Sequence, residues 1–277
     1  MDSAQLATKA NDLRKDILAM ITEAGSGHPG GSLSCTDILT ALYFGGVMDY
    51  DAADPQKPGR DRFILAKGHA APALYATLAH AGYFPTEELN TLRKLGTRLQ
   101  GHPDSNLVPG VEVSTGSLGQ GLSVAAGLAA GLRLSGEDGV VFTVLGDGEC
   151  EEGQVWEAAM FAAHQQLGRL VAIIDNNGLQ IDGSIVDVCN PEDLGAKFAA
   201  FGWDVVEVDG HDIDALVTVL SAAKDNAVDE GAPLCVVAHT VKGKGVSFME
   251  NVAGWHGKAP SAEELETALA ELSAACA

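Results

Sequence analysis

The chain has 277 residues, with 38 acidic against 17 basic side chains and a formal charge of −21. So acidic a surface argues against nucleic acid and anionic membranes as partners, and requires any phosphate ligand to be held locally by metal, imidazole and backbone N–H groups. With 46% hydrophobic residues, the length supports a large core, here expected as one domain over 1–277 with a helical, loop-rich first part (1–135) and an alternating β/α part (136–277).

In chain order, Ser3–Glu23 carries apolar residues at helical spacing (Leu6, Leu13, Ile17, Met20, Ile21). Thr36–Phe44 and Ala70–Ala81 read as helices. Thr86–Lys94 reads as another, with Thr86 as N-cap and Leu89 and Leu92 on one face. Two segments are apolar around their whole circumference, Gly119–Leu134 and Gln154–Leu167. Such helices are expected in a core or an interface. From residue 140 onward, strands at Val140–Leu145, Leu170–Ile174, Asp204–Val208 and Leu234–Ala238 alternate with helices at Gln154–Leu167, Pro191–Ala200 and Asp214–Asn226. That alternation predicts an α/β fold, a parallel sheet with helices on both faces. Ser261–Ala275 closes the chain as a capped helix with Leu265, Leu269 and Leu272 on one side.

Cys35, Cys150, Cys189, Cys235 and Cys276 are widely spaced and form no Cys-x-x-Cys pair. A disulfide framework or structural zinc site is therefore not expected, and a reducing compartment fits. Met1–Lys15 has no secretory apolar core, and Leu118–Leu134 is short and broken by Gln120 and Arg133. A cytoplasmic protein is the expectation.

The most informative pattern is Gly146-Asp147-Gly148 after one apolar run and Asp175-Asn176-Asn177 after the next. In an open parallel sheet, ligands bind beyond the carboxyl ends of the strands. Two neighbouring strands would deliver the Asp147 carboxylate and the Asn177 carboxamide to one edge. A lone Gly-Asp-Gly is usually only a turn; the pair, each member after a buried strand and separated by one helix, points to Mg²⁺ and a diphosphate. Gly146 and Gly148 are expected to let the backbone turn and approach a bulky anion. His28, His69, His102 and His256 lie beside glycine, as does His211, and in such loops an imidazole can be brought to a ligand. His80, His164, His211 and His239 read as structural. Lys242-Gly243-Lys244-Gly245 reads as a lid or surface loop with solvated lysines.

These motifs, together with Ser26-Gly27-His28-Pro29-Gly30-Gly31, Lys67-Gly68-His69, Gly101-His102-Pro103, Ser114 to Gly121 and His256-Gly257, resemble the transketolase family in order and over nearly the whole chain. The resemblance implies thiamine diphosphate with Mg²⁺, for which Ca²⁺ or Mn²⁺ could substitute. It implies metal ligation by Asp147, Asn177 and the carbonyl of Leu179. His69, Gly116, Ser117, Leu118, Gly148, Glu152 and Ile181 would join Asp147 and Asn177 around the cofactor, with Glu152 near a dimer interface. His28, His69, His102 and His256 would line the channel above the reactive carbon. Lys67, Ser117 and Asn176 depart from residues common in the family.

In that family the activating glutamate belongs to a second domain. No further βα segment follows His256, so the resemblance implies the N-terminal subunit of a split transketolase. A separate pyrimidine-binding chain would supply the glutamate and the sugar-phosphate residues, in a heterotetramer. The rival readings are a deoxyxylulose phosphate synthase-like chain, a 2-oxoacid dehydrogenase α-like chain, or a non-catalytic thiamine diphosphate-binding regulator.

Overall fold

A computed structural model describes residues 1–274; Ala275 and Cys276, named above, lie outside the described residues. Helix α1 (Ser3–Ala24) starts from a reciprocal cap between Asp2 and Gln5 and buries Leu6, Leu13, Ile17 and Ile21 along one stripe. The glycine-rich His28 segment forms a short buried helix, α2 (Pro29–Ser34), and α3 (Thr36–Phe44) follows directly. A four-residue strand, β1 (Arg62–Leu65), then leads through Lys67 and His69 into α4 (Ala71–His80). The sequence pattern does not announce β1, because four residues are too few to show a period.

The stretch predicted as a helix over Thr86–Lys94 is a short 3₁₀ helix, Thr86–Thr91, entered from an extended Pro85 rather than from a Thr86 cap. Leu89 and Leu92 are nonetheless both buried. Helix α5 (Gly121–Ser135) precedes β2 (Val141–Gly146), and α6 (Gly153–His164) joins β2 to β3 (Leu170–Asn176). A small hairpin, β4 (Leu179–Gln180) and β5 (Gly183–Ser184), leads into α7 (Ile185–Cys189). Next come α8 (Leu194–Ala200), capped by Asp193, β6 (Asp204–Asp209), α9 (Ile213–Asp225), β7 (Leu234–His239) and α10 (Ala262–Ala274). The helix expected to begin at Pro191 therefore begins three residues later, where the Asp193 carboxylate accepts the Ala196 N–H.

The main sheet is five-stranded and wholly parallel, in the order β1-β2-β3-β7-β6. Strand alternation divides the core in two. Phe142, Val144, Val171, Ile173 and Val236 face the layer of α1, α3, α4, α9 and α10. Val141, Leu145, Leu170, Ile174 and Val237 face the layer of α5, α6 and α8. The two helices expected in a core or an interface are buried within this chain on one face only. Val155, Ala158, Ala159 and Ala162 of α6 are enclosed, whereas Met160 and Phe161 are about half exposed. Leu134 at the end of α5 is 87% exposed. No helix among the described residues is long and apolar enough to cross a membrane.

A buried triad ties the first layer to the loop after β7. Asp37 accepts from Arg14 Nη2 at 2.6 Å and lies 2.7 Å from His211 Nδ1. His211 Nε2 accepts the Val241 N–H at 2.8 Å, so Nδ1 carries the proton that faces Asp37. Burial would raise the Asp37 carboxyl, but Arg14 and His211 hold it below the usual range. Asp37→Ala strands the Arg14 guanidinium and is expected to cost about 3–5 kcal/mol in urea denaturation. Lys57→Ala, which breaks an exposed pair with Asp51, is expected to cost less than about 1 kcal/mol.

Candidate active site

Parallel register sets the site. Gly146 pairs with Asp175 across β2 and β3, and Asn176 with His239 across β3 and β7. Asp147 and Asn177 thus leave neighbouring strands at the same carboxyl edge. Asp147 is 2% exposed and accepts the N–H groups of Gly148 and Gly178. Burial, and then the nearby Asp175 charge, push its carboxyl up to about 6. Asn177 donates its amide to Asp175 at 3.2 Å, which turns its carbonyl oxygen away from Asp175 and toward the Leu179 N–H. Neither Gly146 nor Gly148 has a positive φ. What matters at Gly148 is space: a Cβ there would lie 2.8 Å from Gln180 Oε1.

These groups open onto a cavity of about 450 Å³. Of the residues expected around a cofactor, His69, Leu118, Asp147, Gly148, Glu152, Asn177, Leu179, Ile181 and His256 line it. Gly116 does not; it packs beside the row of histidines, where a Cβ would meet His102 Cδ2 at 2.8 Å and where its φ of +142° suits glycine. Ser117 is exposed and lies off the cavity wall.

The four histidines do gather. His69 and His256 stack with ring centroids 5.0 Å apart, His28 lies 5.4 and 5.5 Å from them, and His102 lies 6.4 Å from His28. Nδ1 of His28 and of His256 is buried without a hydrogen-bond partner among the described residues. All four are held below the usual histidine range, first by burial. His28 falls to about 4 and His256 to about 3. At neutral pH the row is a set of uncharged imidazoles, able both to donate and to accept. The remaining histidines are placed elsewhere: His80 bonds Asp16, His211 bonds Asp37, exposed His239 bonds Glu207, and His164 is exposed on α6.

A family model described as "Transketolase, thiamine diphosphate binding domain" matches residues 6–274. The chain belongs to this transketolase family. It is 44% identical over 267 residues to the 6-deoxy-6-sulfo-D-fructose transketolase subunit SqwG of Clostridium sp. (strain MSTE9), covering 96% of each chain. It is 40% identical over 273 residues to an apulose-4-phosphate transketolase subunit of Phocaeicola vulgatus, covering 99% of this chain and 95% of the relative. A crystal structure of transketolase from Campylobacter jejuni superposes with a TM-score of 0.91 at 30% identity, over 99% of this chain and 43% of that one.

The candidate site contains groups whose burial there the sequence pattern did not reveal. Lys242, read from sequence as solvated, is 2% exposed and donates to the Leu179 carbonyl at 3.0 Å. Gly243 turns tightly with φ +81° and carries the chain back over Met249, which draws the lysine inward. Burial, then repulsion from Lys67, lowers its ammonium to about 8. Lys244 keeps the solvated character expected of it. Lys67 is 1% exposed and pairs with Asp175 beneath the metal-ligand candidates. Glu149 accepts the N–H groups of Gly119 and Gly146 at 3.0 Å, and burial pushes it up to about 7. One signal was available: Lys67, Asp175 and Lys242 all fall within three residues after, or at, the end of a strand, on the edge that carries Asp147.

The residues present fit the cofactor class. The donors of Asp147, Asn177 and Leu179 are all oxygens, which suits a hard divalent cation, and His69 and His256 of the histidine row line the same cavity.

Lowered histidines give the ligand-free chain a pH signature. Each is charged in the unfolded chain below about 6.5 but neutral in the fold. Their stabilisation is therefore present above that value and is lost as pH falls toward 4. Asp147 and Glu149, raised to about 6 and 7, act in the opposite sense, but two carboxyls face four imidazoles. The urea midpoint is expected to fall between pH 7 and pH 5. His28→Gln and His256→Gln are each expected to flatten that fall.

Proposed function

We propose that this chain is the diphosphate-binding subunit of a transketolase, transferring a two-carbon ketol unit from a ketose phosphate to an aldose phosphate. The observation that carries the reading is the placement of Asp147 and Asn177 on adjacent strand ends, opening onto a cavity that reaches the gathered imidazoles. Relatives matched over almost their full length are themselves named as transketolase subunits.

Asp147, Asn177 and the Leu179 carbonyl would hold Mg²⁺, and Lys242 would add positive charge beside the diphosphate. When bound, thiamine diphosphate supplies the nucleophilic carbon and the electron sink that make carbon–carbon cleavage feasible. His28, His69, His102 and His256 orient the sugar hydroxyls. Being neutral, they can take a proton from one oxygen and return it to another. Gly148 lets the diphosphate approach the backbone. Leu118 and Ile181 offer apolar contact to the cofactor rings.

The activating glutamate and the sugar-phosphate contacts would come from a separate pyrimidine-binding chain in the cytoplasm, as a heterotetramer. Glu152 and the exposed apolar faces of α5 and α6 would meet that assembly. Apolar surface of this kind marks an interface.

With ketose donor, aldose acceptor, thiamine diphosphate and Mg²⁺, the chain alone is expected to give no turnover, and adding the pyrimidine-binding chain is expected to restore it. Robust turnover by the chain alone would overturn the two-chain reading. Asp147→Ala is expected to weaken Mg²⁺-dependent cofactor binding more than about a hundredfold by calorimetry. Lys242→Met is expected to weaken it about tenfold by removing one ammonium from the diphosphate. Unchanged affinity in both variants would remove the proposed diphosphate site.

A further inference from the structure

Arg93 lies at the outer end of the histidine row, away from the cavity. Its φ is +59°, a left-handed conformation that a non-glycine residue keeps only where its surroundings enforce it. The Arg93 N–H donates to the Leu99 carbonyl at 2.8 Å and closes the loop between them. Its guanidinium reaches two separate segments. Nη1 donates to Ser26 Oγ at 2.8 Å, two residues before His28. Cζ lies over Gly101, where a Cβ would come within 3.1 Å of it, next to His102. On the far side the Tyr75 hydroxyl contacts the carbonyls of Gln100 and His102 at 2.9 and 3.1 Å, so this segment is held from both directions.

Among the described residues no carboxylate pairs with Arg93, and its Nε is buried without a partner. In a chain with more than twice as many acids as bases, an uncompensated guanidinium beside two imidazoles is an unusual arrangement. Arginine holds its charge at every working pH and presents a rigid fork of donors, which suits it to fixing two segments while imposing a constant field.

We propose that Arg93 is a positioning residue for the outer half of the histidine row, clamping the segments that carry His28 and His102 and holding a fixed positive charge beside both rings. The role rests on the reading of that row as the surface that faces the sugar. An imidazolium there could only donate; a neutral ring can also accept a hydroxyl proton.

The charged and titratable groups around the two rings are few. Arg93, His102 and Lys242 act on His28, whose ring also contacts His69 and His256; Arg93 acts on His102. Arg93 does not act on His69 or His256, where Lys67, Lys242 and the neighbouring imidazoles do. Burial is the larger cause at His28 and His102, so removing Arg93 should restore only part of their shift.

The test is histidine titration by NMR in the full chain, with no cofactor, metal or partner. In Arg93→Gln the midpoints of His28 and His102 are expected to move up, His28 from about 4, while those of His69 and His256 stay in place. Arg93→Lys keeps the charge and is expected to leave all four near their original values. Both variants are expected to speed hydrogen exchange at residues 26–28 and 100–102, because neither retains the fork. Unmoved midpoints for His28 and His102 in Arg93→Gln, or a common drift of all four rings, would overturn the proposal; the second result would mean that the substitution only loosens the fold. In the assembled enzyme the acid limb of kcat/KM is expected to move to higher pH in Arg93→Gln but not in Arg93→Lys. An unmoved limb alongside shifted midpoints would instead tell against the row facing the sugar.

Discussion

Everything in the site rests on the buried pair between Lys67 and Asp175. Both side chains are essentially excluded from solvent, and the Asp175 carboxylate also accepts from Ser34 Oγ at 2.6 Å, from Thr240 and from the Asn177 amide at 3.2 Å. Lys67 donates in addition to the Gly31 carbonyl at 2.8 Å. One ion pair thereby joins the end of β1, the buried helix α2, the end of β3 and the segment after β7. Burial alone would drive both groups neutral; each keeps the other charged, and the hydroxyls and the amide complete the solvation. Because Asn177 spends its amide on this carboxylate, its oxygen is the atom left to turn toward a cation.

The same pair adds to the electrostatics of the cavity. Burial is the larger cause at each group; beyond it, Asp175 raises Asp147 and Lys67 lowers Lys242. Asp147 and Lys242 are thus each held close to the point where the charge is easily lost. A dianionic phosphate and a divalent cation arriving together would reverse both tendencies, since the metal favours the carboxylate and the phosphate favours the ammonium. The imidazoles avoid that contest by being neutral from the outset.

Much of this was legible in the residues alone. Apolar runs of five or six residues ending in Gly-Asp-Gly and Asp-Asn-Asn pointed to the parallel sheet and the ligand edge, because strands buried on both faces leave that signature. The clustering of His28, His69, His102 and His256 followed from motif order and not from spacing, and the rings do meet. What escaped was short or buried against expectation. β1 has too few residues for a period, and Thr86 offers a capping side chain where the turn is started by Pro85. Lys242 looks solvated because composition cannot reveal that Gly243 folds the chain over it. The apolar circumference of α5 and α6 was visible in the sequence, but which half a single chain would cover is a property of the packing.

Parallel register has one more consequence. Gly146 stands opposite Asp175 through strand pairing and not through the length of chain between them, so within the connection it is the cavity-lining stretch from Asp147 to Glu152, and not the far end of α6, that the ligand geometry constrains. β3 itself has no such freedom. It ends in two consecutive asparagines, of which Asn176 belongs to the strand and contacts His239, while only Asn177 reaches Asp175 with its amide. One residue inserted or removed within β3 would turn Asp175 off the face where it meets Lys67, and carry Asn177 with it, in a protein that still looks intact by composition, charge and hydropathy. In this architecture it is the parity of β3 that holds the ligand edge together.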